Sequence, residues 1–217
     1  MATKTYIYKI FERFWHWTQA FLILFLALTG FEIHSSFSLM GFESAVYWHN
    51  FASWALIVLI IFAIFWHFTT GEWRQYIPTR AFIRDQIRYY ITGIFKNAPH
   101  PTKKSVYNKF NPLQRIIYLG LKVLVIPVQV LTGILYMFYR YPQGGKIEII
   151  NVDGLEIIAI VHTIGAFTLI AFVIAHVYLT TTGKTPLESI KAMITGWEEL
   201  EHDEEETLTN DANAESK

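Results

Sequence analysis

His162 and His176 stand fourteen residues apart inside Ile157–Gly183, a stretch that carries no charged side chain. On an α-helix that separation is a rise of roughly 21 Å, and the second ring is turned only ~40° from the first. Both imidazoles therefore face the same way, near opposite sides of a bilayer. Neutral imidazole is a common transition-metal ligand through one ring nitrogen, so one apolar helix offers a ligand to each of two stacked cofactors.

Composition narrows which cofactors these can be. The chain has 217 residues and no cysteine, which removes disulfides, iron–sulfur ligation and a Cys-x-x-Cys-His covalent haem site. Any haem here is b-type, held by side chains and packing. The 18 basic and 18 acidic residues cancel, so the global basic field of a nucleic-acid binder is missing. A single histidine in a membrane helix is commonly just an interior residue with a hydrogen bond. Several at matched depths are not explained that way, because each intramembrane ionisable group needs a partner of its own.

The elements that must position these residues are apolar helices. Hydrophobic residues make up 53% of the chain and aromatic ones 17%. Four segments, about 14–31, 44–70, 116–139 and 157–181, are long and apolar enough to cross a hydrocarbon core of ~30 Å. The first lacks a small-x-small cleavage site and opens on Trp15-His16-Trp17, which predicts a retained helix rather than a cleaved leader. Trp15, Trp17, Trp48 and Trp66 suit an interfacial aromatic belt.

The connection 72–112 holds Arg74, Arg80, Arg84, Arg88, Lys96, Lys103, Lys104 and Lys109, whereas Glu32–Glu43 has no Lys or Arg. The positive-inside rule puts the long connection, and with it both termini, in the cytoplasm. Lys4, Lys9 and Arg13 agree. Within the connection Ile83, Ile87, Tyr90, Ile91 and Ile94 recur at helical spacing beside an Arg80, Arg84, Arg88 stripe, which predicts a helix on the inner membrane surface. Leu187, Ile190, Met193, Ile194 and Trp197 repeat the pattern. Residues 198–217 turn acidic and read as a solvated, disordered tail after a single domain over 1–197.

A weak internal repeat links the halves. Thr29-Gly30 closes the first span as Thr132-Gly133 closes the third, Arg13 and Arg115 precede them, and His49 matches His162. Two hairpins packed as a four-helix bundle would place cofactors between facing helices. With the N-terminus inside, His49 and His162 share the outer level, and His34 lies next to the outer loop. His16, His67 and His176 all lie near the inner boundary, three candidates for two positions.

Arg13-Phe14-Trp15-His16-Trp17 through Thr29-Gly30, then His49, His162 and His176, resembles the bacterial di-haem cytochrome b subunits of nickel–iron hydrogenases, formate dehydrogenases and thiosulfate reductases, in the wider cytochrome b561-like group. The resemblance runs from about Tyr8 to Trp197. It implies His16 and His176 as ligands of an inner haem b and His49 and His162 as ligands of an outer one. His67 is a departure from the pattern, able to replace His16, to hydrogen-bond a propionate or to lie beside a quinone. Asn108-Lys109-Phe110-Asn111-Pro112 is ordinary helix-start chemistry, with Asn111 as cap and Pro112 in the first turn. It is also similar to the asparagine-containing entry of the formate dehydrogenase cytochromes, which implies a quinone near Asn108 and Asn111.

Inside the third span, Lys122 could snorkel or meet an inner propionate, and Pro127 predicts a kink. Gly30, Gly133 and Gly165 allow close approach of a porphyrin or a helix. The expectation is thus an all-α, four-helix integral membrane cytochrome b of the bacterial cytoplasmic (inner) membrane, with interfacial amphipathic helices. It carries electrons between menaquinone or ubiquinone and a redox partner, an iron–sulfur protein or a multihaem cytochrome c. The rival readings are a free-standing b561-type oxidoreductase, such as a superoxide:quinone enzyme, and a histidine-lined metal transporter.

Overall fold

A computed structural model describes residues 2–96, 98–102, 104–106, 108–140, 152–183 and 185–201. Lys103, Tyr107 and residues 202–217 of the acidic tail lie outside the described residues. The chain forms two compact units.

The second unit, Phe14–Arg74 with Ile117–Val177, contains most of the spanning helices. These are α1 (Ile10–Ile33), α2 (Phe42–Thr70), a third span beginning at α4 (Pro112–Gly120) and ending at α5 (Ile126–Arg140), and α6 (Val152–Thr180). A short helix in the connection, Ile83–Arg88, is α3. All four spans are long and apolar enough to cross a membrane, and each starts a few residues before the apolar run does. Hydrophobicity marks where a helix meets lipid, while hydrogen bonding carries the helix past that boundary.

On α2 the buried residues Ala45, Ala52 and Leu59 recur every seven positions. That spacing keeps one seam facing a neighbouring helix. Leu22 of α1 packs with Ala52 and Leu59, flanked by Phe25, Leu26, Ala55 and Leu56. Small alanines let two backbones approach closely, the usual basis of helix association in lipid. Much of the remaining apolar surface, such as Phe65 and Ile174, is exposed and suits contact with acyl chains.

Ahead of Pro127, where the sequence predicted a kink, the hydrogen-bond ladder changes. Between α4 and α5, Leu121–Val125 widens into a π turn, and the Ile126 N–H donates to the Leu121 carbonyl. Pro127 has no N–H for the Val123 carbonyl, so the ladder shifts ahead of it. Lys122 lies within this turn.

The first unit comprises Met1–Arg13, Gln75–Ile116 and Tyr178–Lys217. Strand β1 (Ala2–Tyr6) pairs antiparallel with β2 (Trp197–Glu201), Tyr6 opposite Trp197. The acidic run therefore begins as structure, and Trp197 belongs to a strand rather than to the last apolar stripe. Helix α7 (Glu188–Thr195) stops at Gly196, whose φ is 87°. A Cβ there would meet the Tyr6 ring and the Tyr8 carbonyl at 2.5 and 2.8 Å, so glycine alone fits this joint. The Gly196 carbonyl accepts from the Ile7 and Tyr8 N–H groups.

Two lysines that the sequence counted as surface charge are tied down here. Lys109, 4% exposed, meets Glu12 at 2.6 Å, and Lys104 meets Glu198 at 2.7 Å. Burial opposes the Lys104 charge, yet Tyr8 and Glu198 hold its pKa above the ordinary lysine value. The surface helix over 83–96 is also less regular than its periodicity implied. α3 passes into a π turn at Tyr89–Gly93 and a 3-10 turn at Ile94–Lys96. Its buried side is held by Gln86, which contacts His100 and accepts from Thr102, while Ile87 and Ile91 are exposed.

Candidate functional site

Four half-buried histidines form two facing pairs in the second unit. The rings of His49 on α2 and His162 on α6 have centroids 6.4 Å apart, and those of His16 on α1 and His176 on α6 are 6.2 Å apart. An iron between two imidazoles needs metal–nitrogen bonds of ~2.0–2.1 Å. With each ring centre roughly 1.1 Å behind its nitrogen, the expected centroid separation is about 6.3 Å. Both pairs have the ring separation that two imidazoles holding one iron would need. Among the described residues no three His, Cys, Asp or Glu side chains gather as a cage for an ion; the histidines come in twos, as axial haem ligation requires.

The outer pair is held by hydroxyls. His49 Nδ1 lies 2.9 Å from Thr29 Oγ1, and His162 Nδ1 lies 2.9 Å from Thr132 Oγ1. His162 Nε2 contacts Gln129 Nε2 at 3.1 Å, so the ring nitrogen accepts from the amide. The Gln129 Oε1 is buried without a hydrogen-bond partner, and a Cβ on Gly165 would run into it. A flexible amide thus rests on the lone pair that an iron would take, against a glycine that leaves room for more than an amide.

At the inner pair, His16 Nδ1 is buried with no hydrogen-bond partner. His176 stacks on Phe172 at 5.5 Å, with Tyr118 edge-on at 6.4 Å. His67 is engaged elsewhere. Its Nδ1 donates to the Ala63 carbonyl at 2.6 Å, which leaves Nε2 to accept from Lys122 Nζ at 3.1 Å. The Lys122 ammonium also stands 4.9 Å from the centre of the Trp15 ring, a cation–π distance. Trp15 Nε1 is another buried donor without a partner, so an ammonium and a spare indole N–H lie together, as an anionic propionate would need. Trp15 was read from the sequence as interfacial belt and packing.

Asn108 and Asn111 belong to the first unit. Asn108 Oδ1 accepts from Arg115 Nη2 at 2.7 Å. Asn111 Oδ1 accepts from the Gln114 N–H at 2.8 Å while the Gln114 side chain accepts from the Asn111 N–H at 3.0 Å, a reciprocal capping box. Asn111 Nδ2 donates to the Tyr90 hydroxyl at 2.9 Å. His34 is exposed at the end of α1.

Sequence reasoning missed Glu32. Its side chain is 4% exposed, and Oε1 accepts from the N–H groups of Leu39, Met40 and Gly41 at 2.7–2.8 Å. One carboxylate thereby closes the outer loop onto the end of α1 and leads into α2, which carries His49. A lone glutamate at the edge of an apolar run gives no pattern to read. Glu32→Ala is expected to open the 34–41 loop to proteases added from the outer side, while Glu32→Gln keeps an acceptor and resists better. Equal cleavage of wild type and Glu32→Ala would remove this role.

The family model described as Prokaryotic cytochrome b561 matches residues 7–196. "Putative cytochrome YdhU" of Escherichia coli (strain K12) is 30% identical over 89% of this chain and 74% of its own length. "Probable Ni/Fe-hydrogenase B-type cytochrome subunit" of Cupriavidus necator is 26% identical over 80% of this chain and 78% of its own. "Putative protein-methionine-sulfoxide reductase subunit YedZ1" of Azospira oryzae is 25% identical over 82% and 91%.

Proposed function

The chain belongs to the prokaryotic cytochrome b561 family, and from that membership we propose that it holds two haem b groups and carries electrons between the quinone pool and a partner redox subunit. As a family member with four spans it is a membrane b-type cytochrome of electron transfer, a multi-pass protein of the bacterial inner membrane. The observation that carries the two-haem reading is the pair of matched ring separations, 6.4 Å for His49 with His162 and 6.2 Å for His16 with His176.

Each haem, when bound, supplies one-electron redox chemistry at iron. His16, His176, His49 and His162 would supply the nitrogens that hold the haems, and the protein around them burial and hydrogen bonds. Lys122 and the Trp15 indole N–H suit the propionates of the inner haem, and His67 holds Lys122 in place rather than binding iron. The lipid-facing helices keep water from the haem pockets, where charge is costly. The basic 72–112 connection supports a cytoplasmic location for both termini.

The quinone, menaquinone or ubiquinone, would exchange at the inner haem, close to the water from which reduction takes its protons. Relatives named as hydrogenase cytochrome subunits and as a reductase subunit support a partner that holds the substrate chemistry, an iron–sulfur protein or a multihaem cytochrome c. Co-purification of such a partner separates this reading from a free-standing oxidoreductase.

A pyridine haemochrome assay on purified protein is expected to give two b haems per chain. One haem per chain, in cells supplied with excess haem precursor, removes the two-haem reading.

A further inference from the structure

We propose that Thr29 and Thr132 are positioning residues that fix the tautomer of His49 and His162 and thereby set the reduction potential of the outer haem. The inference rests on the reading of those two histidines as axial ligands, and it names residues to which neither spacing nor family membership gave a role.

A threonine hydroxyl has one proton to give. Thr29 Oγ1 lies 2.9 Å from the Phe25 carbonyl and 3.2 Å from that of Leu26, and carbonyls only accept. The Thr29 proton is committed to its own helix. Toward His49 Nδ1, 2.9 Å away, the oxygen must therefore be the acceptor, so Nδ1 carries the hydrogen. A neutral ring protonated at Nδ1 keeps its lone pair on Nε2. Thr132 repeats the arrangement, with 2.7 Å to the Val128 carbonyl, 3.2 Å to that of Gln129 and 2.9 Å to His162 Nδ1.

The next residue completes each seat. A Cβ on Gly30 would stand 3.5 Å from His49 Cε1, and one on Gly133 would stand 3.2 Å from His162 Cε1. The hydroxyl meets Nδ1 and the glycine lies against Cε1, with the tighter approach at Gly133. Two Thr-Gly seats, on α1 and α5, thus receive rings from α2 and α6, and the faint repeat in the sequence becomes a repeat of chemistry. Both threonines are buried, at 0% and 7% exposure, so water does not compete for the bond. The inner pair differs, since His16 Nδ1 has no hydrogen-bond partner.

An imidazole that donates its Nδ1–H to an acceptor is a more basic ligand, and a more basic ligand favours the higher charge on the metal. The two seats therefore lower the outer haem's potential. Thr→Val keeps shape and removes the acceptor, whereas Thr→Ser keeps the hydroxyl.

The test is a spectroscopic redox titration of full-length holoprotein carrying Thr29→Val, Thr132→Val, both together, and the two serine versions. Each valine variant is expected to move the outer haem's oxidised-to-reduced equilibrium about tenfold toward reduced, ~59 mV for a one-electron couple. The double variant should move it further, with the inner haem unchanged and the serine variants near wild type. Loss of the outer haem from valine but not serine variants supports the same role. Wild-type outer potential in the double valine variant, or equal loss of haem from valine and serine variants, overturns it. If His49→Ala retains the outer haem, the axial reading fails instead, so the two failures are distinguishable.

Discussion

His49→Ala and His162→Ala are expected each to remove the same haem, one equivalent per chain, and to leave the other in place. His16→Ala and His176→Ala should do the reverse. A b-type haem has no covalent link to the protein, so its axial bonds and packing are what retain it. Loss of one of the two imidazoles that would hold a haem should therefore release it. The expectation for His67→Ala is retention of both haems, because the His67 nitrogens are occupied by the Ala63 carbonyl and Lys122 Nζ. It should disturb Lys122 instead, which would appear as a shift in the inner haem's potential. The measurement is haem content with low-temperature α-band spectra, which separate two b haems by wavelength. Should His67→Ala abolish the inner haem while His16→Ala spares it, the pairing is wrong and α2 supplies both partners of α6.

The facing of His162 and His176 was legible because helical geometry is rigid, whereas the choice of His16 over His67 came only from the family resemblance. A spacing of fourteen residues fixes both a rise and an angle, so His162 and His176 had to face one way. The spans were legible for a related reason, since lipid leaves the backbone no alternative to internal hydrogen bonds. Their ends were less so, because α1 begins at Ile10, ahead of its apolar run. The pairing of β1 with β2 joins residues nearly two hundred positions apart, and five-residue strands of mixed polarity carry too little periodicity to announce themselves. Glu198 looked like part of an acidic tail because its partner, Lys104, is remote in sequence.

Within the candidate site, what stayed hidden was direction. Thr29 and Thr132 were visible as markers of a repeat, but which atom their hydroxyls address depends on rotamers and on the proton each gives back to its helix. Lys122 was visible as a charge inside an apolar span, and the proline five residues on was visible as a predicted kink. Their connection was not: Pro127 interrupts the ladder, and the π turn ahead of it includes Lys122. Such turns cluster at functional sites because one extra residue re-aims a side chain without ending the helix. Here the re-aimed side chain is an ammonium facing His67 and the Trp15 ring.

Asn111 is where two roles can be separated by experiment. Its Oδ1 caps α4 through the Gln114 N–H, and its Nδ2 donates to Tyr90, whose phenol is pushed up by burial and so stays protonated. An amide nitrogen has two hydrogens, which leaves one for a quinone carbonyl if the proposed inner exchange site includes this turn. Asn111→Ser keeps a capping oxygen but has no amide donor, whereas Asn111→Ala loses both and should cost about 1 kcal/mol of stability. Under the quinone reading both variants retain wild-type haem spectra, yet slow oxidation or reduction of the haems by a menaquinone analogue at least tenfold, roughly 1.4 kcal/mol in barrier. Asn108→Ala should act in the same direction, because it removes one of the three acceptors that hold the Arg115 guanidinium beside the turn. If Asn111→Ser exchanges electrons with quinone at the wild-type rate while Asn111→Ala is merely less stable, Asn111 is a helix cap alone. Wild-type quinone kinetics in Asn108→Ala as well would move the proposed exchange site away from this turn, toward the outer haem.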